Sequence, residues 1–136
     1  MRLWHYELVH ILPDKMLISQ WRECIAIKRQ WEKGTLKHPL VSYVKNYNKQ
    51  YFLNYVYRVI EEMKKRDIKY QKKYSQEIRD FCSSDDFVSS SSVYEEHNDR
   101  YFLQCYYNLQ EKYDRGIISR EDWKTVIRYV GVNYDL

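Results

Sequence analysis

Apolar positions along this chain return at helical spacing almost from end to end. Phe52, Tyr55, Val56, Val59, Ile60 and Met63 recur every three or four residues, which predicts an amphipathic helix over about 48–66. Leu17, Trp21, Cys24, Ile25 and Lys28 fall near one stripe of an earlier helix, about 15–33, with Arg22 and Glu23 at the rim of that stripe. Pro13 reads as its stop, Asp14 as its N-cap and Gly34 as its C-cap. Phe102, Cys105, Tyr106, Leu109 and Tyr113 define the face of a third helix, about 100–114, opened by Asn98 or Asp99 and ended by Gly116. Ser119-Arg120-Glu121-Asp122 resembles a capping box and predicts a last helix over about 120–130, packed through Trp123, Val126, Ile127 and Val130. A shorter helix is expected over 71–82.

Between these elements the pattern weakens. His38-Pro39 imposes an extended turn within 35–47. The Ser- and Asp-rich run 83–92 reads as a flexible surface loop, with too little chain after it for a second domain. Strand-like alternation and internal repeats are both missing. The expectation is therefore an all-α fold, residues 1–136 forming a single compact domain of three long helices plus one or two short ones.

Composition adds partners and compartment. No apolar run approaches the ~20 residues of a membrane span, so no membrane association is expected. Nothing resembling a signal or transit segment opens the chain at Met1, and a cytoplasmic monomer is the expectation. Cys24, Cys82 and Cys105 are widely spaced and without a CxxC pair, which reads as reduced thiols, Cys24 and Cys105 lying on apolar helix faces. His5, His10, His38 and His97 lack metal-ligand spacing, so no metal site is expected. Aromatic residues make up 17% of the chain, 15 of them Tyr, supplying stacking faces with polar tips. Residues 1–80 carry 17 Lys/Arg against 9 Asp/Glu, whereas residues 81–136 carry 6 against 10. A basic amino-terminal part of this kind attracts a phosphate backbone.

The candidate chemistry sits in the same part. An unprotonated α-amine is a nucleophile that forms an imine with a carbonyl-like carbon, and Met1 would supply one beside the Arg22-Glu23 pair. Nucleotide-binding loops, Ser-His-Asp sets and zinc signatures are all missing.

The stretches Met1-Arg2-Leu3-Trp4-His5 and Leu12-Pro13-Asp14-Lys15-Met16-Leu17-Ile18-Ser19-Gln20-Trp21-Arg22-Glu23-Cys24 resemble the start of the pyrimidine-dimer DNA glycosylases of the phage endonuclease V type. They look closest to a bacterial branch with a similar opening. Val59–Arg66 and Cys105–Tyr113 agree with that family in the same order, so the resemblance spans roughly the whole chain. It implies a DNA repair N-glycosylase and abasic-site lyase acting on damaged duplex DNA through a Schiff base at the N-terminal amine, with no cofactor. Carried over residue by residue, Met1 is the nucleophile and Glu23 the assisting carboxylate. Arg2, Arg22 and Lys112 become DNA-binding cations. Ala26 stands where the family has another phosphate-binding arginine, with Lys28 and Arg29 close by as candidate substitutes. Asn108 replaces a basic residue, and Tyr129 and Tyr134 loosely represent the family's aromatic carboxyl end. Arg2 blocks removal of Met1, so the Met side chain is expected to crowd the site. The alternative is a helical module that keeps the fold and binds nucleic acid or protein without catalysis.

Overall fold

Residues 1–5 run extended before the chain tightens into a 3-10 helix, Tyr6–Ile11, whose Leu8, Val9 and Ile11 are buried. The computed structural model describes residues 1–133. Five α-helices follow: α1 (Asp14–Lys33), α2 (Lys49–Lys65), α3 (Lys72–Cys82), α4 (Asp99–Asp114) and α5 (Arg120–Asn133). A second 3-10 helix, Ser42–Asn46, interrupts the α1–α2 connection. Among the described residues there is no strand, and the all-α single domain read from the sequence is the observed fold. None of the described helices is long and apolar enough to cross a membrane.

The predicted apolar stripes build the core. Leu17, Trp21, Cys24 and Ile27 of α1 meet Phe52, Val56, Val59 and Met63 of α2, and α3 closes this pair through Ile78 and Cys82. On the other side α4 contributes Phe102, Cys105 and Leu109. Trp123 of α5 lies almost parallel to both Tyr106 and Tyr113 of α4, with ring centroids 5.7 and 5.2 Å away. Ile127, expected in the α5 core face, is instead 45% exposed, because Trp123, Val126 and Val130 already fill that contact.

Helix ends follow the expected chemistry with one correction. Gly34 takes φ +74°, a left-handed conformation that costs glycine least, and its N–H closes on the carbonyls of Gln30 and Trp31. Asn98 caps α4 by accepting the Tyr101 N–H at 2.9 Å, and Ser119 Oγ accepts the Asp122 N–H at 3.1 Å. Asp14 is not the N-cap of α1 but its first helical residue. Pro13 holds the cap position, and the Asp14 carboxylate turns to Arg66 at 2.9 Å. Arg66 also donates to the carbonyls of Leu12 and His10 at 2.6 and 2.9 Å and to Glu62 at 2.8 Å. One guanidinium thus ties the 3-10 helix, the start of α1 and the end of α2 together.

The Ser- and Asp-rich loop is on the surface and tethered to the start of α2. Asn48 and Asn54 side chains donate to the carbonyls of Asp86 and Ser89, and the Lys49 N–H donates to Asp85.

Candidate active site at the amino terminus

Five extended residues lead back from the first 3-10 helix to the chain start, and several backbone polar groups along them are taken by side chains. The Arg2 N–H donates to Glu23 Oε2 at 2.9 Å. Gln20 Nε2 donates to the Arg2 carbonyl at 2.8 Å, and Gln20 Oε1 accepts the Trp4 N–H at 2.8 Å. Tyr101 donates to the Leu3 carbonyl at 2.5 Å, and Tyr55 to that of Trp4 at 2.6 Å. Helices α1, α2 and α4 therefore each hold part of the segment. Buried backbone groups require such partners, so the segment has one favoured register.

Two histidines continue the anchorage. His5 and His97 are buried with ring centroids 5.4 Å apart. His97 Nδ1 accepts the Tyr6 N–H at 3.0 Å, which assigns its proton to Nε2, facing the Tyr43 hydroxyl at 2.7 Å. Burial holds His97 down at about 3, reinforced by the nearby His5 and Arg58 charges, and burial also lowers His5.

This anchorage brings the Met1 amine 4.0 Å from Glu23 Oε1. The two line a cleft of about 280 Å³ with Arg2, Ser19 and Gln20, while α4 adds Asn108 and Lys112. The Met1 side chain packs against the core, which is how a bulky first residue is accommodated. The Arg2 guanidinium lies over Trp4, 5.3 Å from the ring centroid, with Nη1 3.9 Å from Cys105 Sγ. Burial pushes the Tyr101 phenol and the Cys105 thiol above their ordinary values. Arg2 therefore faces neutral groups and has no carboxylate partner among the described residues, which leaves its charge available to an anion. Arg22 is exposed beside Glu23 on α1, and neither it nor Lys112 forms an ion pair there.

Lys28 and Arg29 lie apart from this group. Lys28 is 4% exposed and bonds Glu32 at 2.9 Å and Glu77 at 3.3 Å. Burial works against its charge, yet Glu32 and Glu77 hold the ammonium above its ordinary value. Arg29 is half-exposed, donates to Glu77 at 3.1 and 3.3 Å and stacks on Tyr74. Both cations, expected on DNA, join α1 to α3 through Glu77. Tyr129 is remote in a different sense, edge-on to His10 at 4.6 Å; Tyr134 lies outside the described residues.

A larger cleft of about 600 Å³ lies between Tyr6, His10 and the α2 residues Arg58, Glu61 and Lys65. Its carboxylates pair with Lys64 at 3.6 Å and Arg66 at 2.8 Å, and the chain's α-amine lies in the other cleft. The amino-terminal cleft is the better reactive site. Among the described residues no group of three or more His, Cys, Asp or Glu is arranged to hold a metal ion. Sequence reasoning missed Gln20, Ser19 and Tyr55 at this site. A buried glutamine on an apolar stripe was the only signal, and its partners lie 16 to 35 residues away.

No curated protein and no solved structure matches the chain. The family model for pyrimidine dimer DNA glycosylase matches residues 1–76, a span that holds the amine, Arg2, Gln20, Arg22 and Glu23. With more than half of its length covered by that match, the chain belongs to the pyrimidine dimer DNA glycosylase family.

Proposed function

We propose that the protein excises damaged pyrimidine-dimer-type bases from duplex DNA and cleaves the resulting abasic site through a Schiff base on its own Met1 amine. The observation that carries this reading is the 4.0 Å approach of the amine to Glu23, inside a cleft edged by cations without carboxylate partners. The neutral amine attacks C1′ of the damaged nucleotide as the glycosidic bond breaks, and the bonding pair leaves with the base. Loss of a proton from nitrogen and opening of the sugar ring, with O4′ taking up a proton, give the imine. Removal of a C2′ proton then expels the 3′ phosphate. Glu23 faces the positive charge that develops on the sugar, while Arg2, Arg22 and Lys112 hold the flanking phosphates.

Borohydride reduction during incubation with a dimer-containing or abasic duplex tests this. The wild-type chain should become covalently attached to DNA. Glu23→Gln, which keeps the volume and removes the charge, should slow glycosyl cleavage far more than it weakens binding. Retention on DNA without any trapping would leave a binding module.

A further inference from the structure

We propose that Gln20 is a positioning residue for the Met1 amine, acting as a side-chain substitute for a neighbouring strand. This inference rests on the Schiff-base reading above. Gln20 is 1% exposed and lies one helical turn before Glu23 on α1. Its amide donates to the Arg2 carbonyl and accepts the Trp4 N–H, both at 2.8 Å. Those are the two bonds that a residue of a parallel strand would make on either side of Leu3. The partners also fix the orientation of the amide, since the donor must face the carbonyl and the acceptor the N–H.

The consequence is register. Glu23 reads the Arg2 N–H and Gln20 reads the next two outward-facing groups of the same edge, both from one rigid helix. A slip of one residue would carry the amine about 3.3 Å along the segment and present the opposite backbone groups to both side chains. Misplacement by ~1 Å at a reacting centre can cost on the order of 10²-fold in rate. An apolar residue would fill this buried position of α1 equally well. Apart from the shared Tyr55 hydroxyl, 3.0 Å from its Oε1, the polarity of Gln20 is spent on the residues that lead to the amine.

The test uses the untagged full chain on an abasic-site duplex under single-turnover conditions. Gln20→Met keeps the volume and the helix propensity but removes both bonds. Trapping at saturating duplex should fall about 10–100-fold, with the Kd for that duplex within about threefold of wild type and circular dichroism unchanged at the assay temperature. A purely structural glutamine would lower Tm and leave the trapping rate per folded molecule where it was. Tyr55→Phe is a milder second variant, removing the hydroxyl shared by Trp4 and Gln20. It should lose several-fold in trapping, and add little to Gln20→Met because both act on one segment. Wild-type trapping rates in Gln20→Met would overturn the inference, and so would a wild-type rate in Tyr55→Phe if Gln20→Met fails to fold. Failure of the wild-type chain itself to trap would overturn the Schiff-base reading instead.

Discussion

His97 lies 6% exposed beneath the amino-terminal segment, and both of its ring nitrogens are engaged while the ring is neutral. A proton on Nδ1 would remove the acceptor of the Tyr6 N–H and place a charge beside His5 and Arg58. The folded protein therefore takes up this proton only near pH 3, whereas the unfolded chain does so near the ordinary value of 6.5. Between those values the unfolded state binds more protons, so stability is fully present above about 6.5 and falls as the pH drops. The loss from His97 alone is ~2 kcal/mol at pH 5 and ~3 kcal/mol at pH 4. For a chain of this length ~2 kcal/mol corresponds to roughly 7 °C in Tm. Urea unfolding at pH 7 and pH 5 measures it, in wild type and in His97→Gln, which keeps a donor and an acceptor and does not titrate. The variant should be less stable at pH 7 and lose ~2 kcal/mol less on acidification. Equal losses in the two proteins would refute the assignment of a neutral, doubly bonded His97.

Arg66→Ala should destabilise by ~2–4 kcal/mol in denaturant unfolding, because it leaves the Leu12 and His10 carbonyls and two carboxylates without their shared donor. Arg22→Ala should weaken duplex binding by ~1–3 kcal/mol and lower the salt slope by about one unit in binding titrations. Lys28→Met should leave that slope unchanged and register only in stability, since its ammonium faces Glu32 and Glu77.

The long helices were legible because their cores are local in sequence. Spacings of three and four along α2, and glycines placed where a left-handed cap is needed, carry that information within a few residues. The first 3-10 helix was not legible: Leu8, Val9 and Ile11 are buried together with no clean period to distinguish helix from strand. Asp14 looked like a cap by residue type, but proline already supplied the cap conformation and a distant arginine claimed the carboxylate. Lys28 was half legible. Its place on the Leu17, Trp21 and Cys24 stripe signalled burial, while the partner that makes burial tolerable, Glu77, is 49 residues away. Met1, Arg2, Glu23 and Lys112 line one cleft. What the sequence could not supply is the set of side chains that hold the amine there, because Gln20, Tyr55, His97 and Tyr101 act on backbone groups, which carry no residue-specific signature.

In the proposed mechanism the chemistry occurs at the first atom of the chain. The most direct measurement compares the untagged protein with one carrying a short extension before Met1, each incubated with abasic or dimer-containing duplex and reduced with borohydride. The untagged chain should give a covalent protein–DNA species, located at the Met1 nitrogen by peptide mass spectrometry. The extended chain should give none while retaining its fold. Equal trapping in both would contradict it and move the imine to an internal lysine such as Lys112.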